Sequence, residues 1–340
     1  MQDAPTHSTP QPVILIPTLE ELGDPWATLR ARWDELEGGG TLLVRYGLGR
    51  RRFRSRDVAT LLRLAGFEPS SPHRVAGGVE MAARWRPREM KALACSVIVP
   101  CRNEVDNVEG VVRRLPSLGT HTELIFVDGA STDGTVERIE AIMRAHDEQD
   151  MALLHQRGEG GKAEAVFMGF DAAQGDILMI LDADMAVAPE DLERFYAALA
   201  EGVADFANGT RFVYPMEKGA MPGANNLGNQ AFSHCLSWVL GSPISDSLCG
   251  TKALFKRDWP GIAAARPLFG GHDPWGDFDL LLGAAYAGLA IVDVPVRYGS
   301  RTAGVSKMRP LRDGPALTRT CLAGARHLKL RRRPVRSQRR

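Results

Sequence analysis

Cysteine is scarce in this sequence and poorly placed for cross-linking. Cys95, Cys101, Cys235, Cys249 and Cys321 are odd in number and scattered, with no Cys-x-x-Cys pair. That excludes a disulfide framework and a zinc site and fits a reduced, cytoplasmic interior. Long apolar runs are also missing. No window approaches the roughly 18 consecutive apolar residues that span a bilayer, so any membrane contact is expected to be peripheral, at the inner face. The start, Met1 to Pro12, is polar, lacks the apolar stretch of a secretory signal, and is read as a mobile tail. Charge of one sign does not dominate either. With 42 Lys and Arg against 41 Asp and Glu, the net charge is +1, which argues against a chain built to grip nucleic acid. The exception is the end, Lys329 to Arg340, which is basic with no acidic residue.

What remains is a globular composition, 44% apolar and 24% charged, over 340 residues, enough for two modest domains or one large one. The most informative stretch is Leu181-Asp182-Ala183-Asp184. The run from Asp176 to Leu181 reads as a buried strand, and two carboxylates emerge where it ends. Such a pair at a strand's C-terminal edge suits a hard divalent cation shared with substrate phosphates. That edge is also where open α/β sheets bind ligands. Around it, strands and helices alternate. Strands are predicted at Cys95–Pro100, Leu124–Val127 and Met151–Leu154, and helices at Asp106–Leu115, from Thr132-Asp133-Gly134-Thr135 onward, and over Lys162–Ala173. Continuously apolar strands alternating with helices imply a parallel sheet covered on both faces.

Ahead of this series, Val13–Ile16 reads as a strand. Asp24-Pro25 opens a helix, Gly38 to Gly40 close it, and Thr41–Val44 form the next strand. Ser55 is expected to cap a second helix, and Val75 to Trp85 a hairpin around Gly77-Gly78. This order, with Leu64-Ala65-Gly66-Phe67-Glu68, resembles the C-terminal half of a class I methyltransferase over residues 13–88. The half that would bind S-adenosylmethionine has no counterpart in it, which makes the segment a structural remnant. A polar linker is placed at residues 89–93.

Ser96-Val97-Ile98-Val99-Pro100-Cys101-Arg102-Asn103-Glu104, Val127-Asp128-Gly129-Ala130-Ser131-Thr132-Asp133-Gly134-Thr135, Gly161-Lys162-Ala163 and Asp182-Ala183-Asp184 follow one another in order at strand ends. Together they resemble family 2 glycosyltransferases of the GT-A fold, over residues 94–310. The resemblance implies a mixed, mostly parallel sheet with helices on both faces, plus the small N-terminal α/β appendage. Within it, Pro100 ends the first strand and turns the backbone out of the sheet, so that Asn103 and Glu104 lie where a base and ribose fit. Asp128 recognises the base or ribose, although the family often has Asp-Asp where this chain has Asp128-Gly129. Asp133 caps or orients the next helix. Lys162, in a glycine-rich turn, brings a cation near phosphate or simply starts a helix. Asp182 and Asp184 are the metal residues, for Mg²⁺ or Mn²⁺, with Asp184 the main ligand; Ala186 stands where some relatives place a further polar ligand.

Further segments, Gly209-Thr210-Arg211, Asp246 to Lys252, and Val294 to Lys307, resemble dolichyl- and polyprenyl-phosphate sugar synthases. They add Arg211 as a substrate-binding residue, and Arg301 and Lys307 as cations for an anionic acceptor or the leaving diphosphate. Asp277 stays open between a general base for a hydroxyl acceptor and a helix-capping residue; an acceptor phosphate needs no base. Trp275 and His272 read as packing or loop residues. Residues 311–340 read as an amphipathic helix, from Pro315 to Leu330 with Leu317, Leu322 and Leu328 apolar, and a basic tail able to rest on an anionic membrane.

The expectation is transfer of a sugar from a nucleotide-diphospho-sugar to a polyprenyl phosphate or glycan hydroxyl, in cell-envelope or polysaccharide biosynthesis. The transfer would be metal-assisted and, by inheritance from the family, inverting. A non-catalytic nucleotide-sugar-binding protein and a nucleotidyltransferase are the alternatives. No nucleic acid partner is expected.

Overall fold

The computed structural model describes residues 11–36, 38–47, 53–156, 160–214, 223–271, 273–299 and 310–330. The chain divides into two compact units, Met1–Glu89 and Met90–Arg340.

In the first unit, β1 (Val13–Ile16), α1 (Pro25–Glu35), β2 (Thr41–Tyr46), α2 (Ser55–Leu64), β3 (Phe67–Pro69), β4 (His73–Val75) and β5 (Gly78–Trp85) follow in order. The sheet runs β1-β2-β5-β3, with β4 also paired to β5. Only β1 and β2 are parallel. Asp24 caps α1 as its sequence predicts, its Oδ1 accepting from the Ala27 N–H at 3.1 Å, with Pro25 at the first helical position. Ser55 does not cap α2. It is already the first helical residue, after an extended Arg54, and its Oγ accepts from the Tyr46 hydroxyl at 2.9 Å. The hairpin turns at Ala76-Gly77, where Gly77 takes φ +83°, the left-handed conformation glycine adopts without strain. Pro12 belongs to this unit and not to a tail, since its carbonyl accepts from the Thr41 N–H. Residues 1–10 lie outside the described residues.

In the second unit, the strands are β6 (Cys95–Cys101), β7 (Thr122–Asp128), β8 (Met151–His155), β9 (Ile177–Ile180), β10 (Phe206–Thr210), β11 (Lys252–Phe255) and β12 (Ile291–Pro295). The helices are α3 (Val108–Arg114), α4 (Thr135–Ala145), α5 (Lys162–Ala172), α6 (Leu192–Ala200), α7 (Gly223–Leu240), α8 (Trp259–Ala265), α9 (Asp277–Ala287) and α10 (Pro310–Ala325). The sheet order is β12-β10-β11-β9-β6-β7-β8. All pairings are parallel except those of β11, which runs against both neighbours. The fold is therefore the mixed, mostly parallel sheet the motifs imply. Residues 91–93, expected as linker, are tied into this unit: the Tyr196 hydroxyl donates to the Lys91 carbonyl, and Lys91 N–H donates to the Ala200 carbonyl.

Both sheet faces are covered, which is why β9 and the central parts of β6 and β7 are continuously apolar. Ile98, Ile125, Ile180 and Leu254 share a buried cluster with residues of α5, α7, α8, α9 and α10. Their strand neighbours Val97, Val99, Phe126 and Met179 are equally buried on the opposite face, and α6 packs against β9 to β12. Each such aliphatic side chain contributes about 1.5–3 kcal/mol on burial. The approach of α5 is close enough to require a glycine: a Cβ on Gly169 would meet Ile98 Cγ2 at 2.5 Å.

The C-terminal helix differs from expectation. It starts at Pro310, so Pro315 lies inside it, and a π-helical turn, Arg326–Leu330, continues it. Leu317 and Cys321 are core residues and Leu328 packs against them, whereas Leu322 is 66% exposed. The three leucines do not form one free stripe, because helical spacing puts Leu322 on the outer side. Among the described residues, no helix is long and apolar enough to cross a membrane.

Candidate active site

Strand direction decides what meets at one sheet edge. β6, β7, β9 and β10 end there, while antiparallel β11 begins there. The edge therefore gathers Arg102 and Asn103, Asp128, Asp182 to Asp184, Arg211, and Gly250 to Lys252.

After β9, the Leu181 N–H donates to the Ile98 carbonyl and the chain then leaves the sheet. Met185 N–H donates to the Asp182 carbonyl at 3.1 Å, closing a turn in which Met185 takes φ +49°. This left-handed conformation is uncommon for a non-glycine residue. Asp184 Oδ1 accepts from the Ala186 N–H at 3.1 Å, which fixes its carboxylate in the turn.

Asp182 Oδ1 is paired with Lys162 Nζ, the first residue of α5. The helix start is docked on the loop before α9, since Ala163 N–H donates to the Pro274 carbonyl. Burial alone would pull the Lys162 ammonium down, but Asp182 and Asp277 outweigh it and raise its pKa. Burial would likewise raise Asp182, yet Lys162, with Lys252 and Arg211 further off, holds it below the usual carboxylate range. Gly250 packs directly on this pair: a Cβ there would sit 3.1 Å from Asp182 Cγ and closer still to Asp182 Oδ2 and Lys162 Nζ.

Asp277, buried at the first position of α9, accepts from Lys252 Nζ at 2.9 Å. Lys252 is fully buried and donates also to the Cys249 carbonyl. Asp277 is not the helix cap. That role falls to Asp273, whose carboxylate accepts from the Trp275 and Phe278 N–H groups, so the Asp277 side chain is free to turn to Lys252. Burial, with Asp277 nearby, pushes Asp273 up to about 6. Trp275 donates its indole N–H to Asp313.

Arg211, just past β10, is gripped by Asp246. Its Nε and Nη2 donate to the carboxylate at 2.6 and 2.8 Å, and its own N–H donates at 3.1 Å. Asn229 of α7 adds a donor to Asp246 at 2.7 Å. The guanidinium lies 5.0 Å over the Tyr298 ring. Burial opposes the charge on both partners, but each overrides it: Arg211 is raised and Asp246 lowered. Nη1 takes no hydrogen bond among the described residues. Beneath, Asn208 donates to Asp293, and Ser245 donates to it from both N–H and hydroxyl. Burial pushes Asp293 up to about 6 although these bonds pull it back.

The expected nucleotide end forms a second group. Asp128, 4% exposed, accepts from the Ser131 N–H, with His155 Nδ1 3.9 Å away. Asn103, in the left-handed region at φ +56°, donates its N–H to Ser131 Oγ and accepts from the Thr132 N–H. Glu104 N–H donates to Thr135 Oγ1, and Glu104 Oε2 accepts from Asn107. These bonds knit the two loops that follow β6 and β7. Asp133 accepts from the Thr135 and Val105 N–H groups, orienting α4 from one residue before its Gly134 cap. Pro100 does not end its strand. The ladder continues to Cys101 opposite Asp128, while pairing with β9 has already stopped at Ile98. Proline is tolerated where a ladder bond is no longer required of it.

Arg301, Lys307, His272, Gly158 and Glu159, and the basic stretch 331–340, lie outside the described residues. Sequence reasoning singles out Asp182, Asp184, Lys162, Asp277, Arg211 and Asp128 but gives no role to Lys252, Asp246, Asn229 or Asp293. Asp246 and Lys252 bound the segment that carries part of the family resemblance; Asn229 and Asp293 have no local signal at all.

Among the described residues no three His, Cys, Asp or Glu side chains converge as a metal cage. Two carboxylates on one turn do fit a hard cation that takes its other ligands from phosphate and water.

Residues 96–259 match the sequence profile of glycosyl transferase family 2. The chain is 36% identical over 122 residues to dolichol-phosphate mannosyltransferase of Saccharomyces cerevisiae, covering 34% of this chain and 44% of that one. It is 29% identical over 243 residues to polyprenol monophosphomannose synthase of Mycolicibacterium smegmatis, covering 69% of this chain and 87% of that one. The chain thus spans less than half the length of the yeast relative. Among solved structures, glucosyl-3-phosphoglycerate synthase of Mycobacterium tuberculosis, in complex with Mn²⁺, uridine diphosphate and phosphoglyceric acid, aligns with a TM-score of 0.49 at 21% identity, over 69% of this chain and 78% of that one. Over residues 96–259, the chain is thus similar to glycosyl transferase family 2.

Proposed function

We propose that this protein transfers a glycosyl group from a nucleotide-diphospho-sugar to a polyprenyl phosphate. The observation that carries the acceptor class is Asp277. Its carboxylate is bonded to the fully buried Lys252 and so is poorly placed to take a proton from a hydroxyl. An ionised phosphate needs no such base. The names of the yeast and mycobacterial relatives, which refer to dolichol- and polyprenol-linked mannose, support the same class.

In this reading Asp182 and Asp184 hold Mg²⁺ or Mn²⁺. Mn²⁺ is the better ion for a test, because its unpaired electrons report binding directly. The cation supplies charge neutralisation on the departing nucleoside diphosphate. Asp128 and Asn103 receive the base and ribose. Arg211, oriented by Asp246, directs its remaining donor to an anionic group, in concert with Arg301 and Lys307. Lys162 lends a positive charge next to the diphosphate. The acceptor phosphate oxygen attacks the anomeric carbon as the bond to the diphosphate breaks, inverting that centre.

The site is proposed to work against an anionic membrane on its cytoplasmic side. Trp238, Leu322 and Leu330 are 60, 66 and 75% exposed, and Arg319, Arg326 and Lys329 are spread along the same C-terminal segment. Membranes of this kind attract such basic, apolar-tipped surfaces.

The test is a transfer assay with UDP- and GDP-sugars, Mn²⁺ and a short polyprenyl phosphate. Lipid-linked sugar should form with the intact protein and vanish in Asp184→Ala. Unchanged turnover by that variant refutes the metal assignment, and donor binding without turnover supports a non-catalytic nucleotide-sugar binder instead.

A further inference from the structure

Two lysines serve two carboxylates at this site, and they are not equivalent. Lys252 is fully buried, donates to the Cys249 carbonyl as well as to Asp277, and has no room to move. Lys162 is one-fifth exposed and bonded to Asp182 alone among the described residues. It also stands at the first position of α5, where the helix dipole disfavours a cation. Nothing in its own helix holds the ammonium in place; the carboxylates do.

Asp277 is the second carboxylate whose field bears on Lys162. One of its oxygens is committed to Lys252, and the other takes no hydrogen bond among the described residues. Gly250 lets Lys162 Nζ and Asp182 Oδ2 lie directly against the backbone, since any side chain there would collide with both. The ammonium thus has a present partner in Asp182 and a second carboxylate, Asp277, whose field also reaches it.

We propose that Lys162 is a built-in competitor for the divalent cation, occupying Asp182 until the ion displaces it towards Asp277, which Lys252 holds ready. This inference rests on the metal reading above. It makes cation and donor binding interdependent. An ion arriving alone must evict an ammonium from its carboxylate, whereas an ion arriving with a diphosphate brings that ammonium a new anionic partner. Asp182, Asp184 and Asp277 against Lys162 and Lys252 leave one net negative charge, and a divalent ion changes it to one net positive charge, suited to a diphosphate.

The test is titration of the full chain with Mn²⁺, followed by electron paramagnetic resonance, with and without GDP or UDP. Removing an adjacent opposite charge changes a carboxylate's affinity for a cation by about tenfold or more. Lys162→Met should therefore bind Mn²⁺ without nucleotide about tenfold tighter than the unaltered protein, and the nucleotide should strengthen binding less in the variant. Lys162→Arg should behave like the unaltered protein. Asp277→Asn should weaken Mn²⁺ binding in the Lys162 background and leave it unchanged in Lys162→Met. If Asp277→Asn does not fold by circular dichroism, the Lys162 variants alone decide. Equal or weaker Mn²⁺ binding by Lys162→Met overturns the proposal while leaving the metal reading intact. Mn²⁺ binding that survives Asp184→Ala in the Lys162→Met background places the ion elsewhere and overturns both.

Discussion

Gly250→Ala separates the chemistry of this site from its stability. The added methyl carbon would lie 3.1 Å from Asp182 Cγ and nearer still to Asp182 Oδ2 and Lys162 Nζ. Carbon atoms pack comfortably at about 3.5–4.0 Å, so the carboxylate and ammonium must retreat by up to about 1 Å. Both are ends of flexible side chains, and the backbone near Gly250 is not the obstacle. The cost to the fold should therefore stay below about 1 kcal/mol. A misplacement of about 1 Å at a reacting centre costs about a hundredfold in rate, or about 2.7 kcal/mol of transition-state stabilisation. The expected result is a melting temperature within a few degrees of the unaltered protein and kcat/KM for the nucleotide sugar about a hundredfold lower at saturating Mn²⁺ and acceptor. Full activity would show that Asp182 and Lys162 take no part in turnover. A variant that loses activity only because it unfolds would refute the claim that the crowding is confined to side-chain ends.

Gly169→Ala should do the reverse, destabilising by about 1–3 kcal/mol through overpacking of α5 on Ile98, measured by urea unfolding, with kcat preserved in the folded fraction. Asp246→Ala removes the partner of the buried Arg211 and should cost about 3–5 kcal/mol; denaturant melts would contradict this if the loss were below about 1 kcal/mol. Asp293, raised from 3.8 to about 6, holds its proton more tightly in the folded than in the unfolded chain. Its contribution is thus greatest below pH 4 and falls as pH rises to about 6, by about 3 kcal/mol at most. Asp293→Asn should flatten that part of the stability–pH curve, and an unchanged slope would rule Asp293 out as its source.

Much of this is legible in the sequence because it is local. Apolar runs ending in Asp128 and Asp182 mark buried strands whose ends carry the chemistry, and the sheet places those ends together. Asp24-Pro25 marks a helix start because capping involves residues three apart. Ser55 misleads for the opposite reason: its hydroxyl finds its partner in Tyr46, on the preceding strand, which no capping rule foresees. Pro100 reads as a strand end, although a ladder can continue on one side after it has stopped on the other. Asp277 is ambiguous in the sequence because its partner, Lys252, starts a strand 25 residues earlier. The grip of Asp246, itself held by Asn229, on Arg211 joins three separate elements, and such convergence has no signature in a single sequence.

The reversed direction of β11 has a practical consequence. Because one backward strand delivers its beginning where the others deliver their ends, the opposite rim of the sheet is left with short connections and none of the candidate residues for chemistry. The exposed stretch between α4 and β8, Asp147 to Asp150, lies on that rim. A fluorophore or an immobilisation tether attached there would report on the working protein from its quiet side, leaving donor and acceptor access unobstructed.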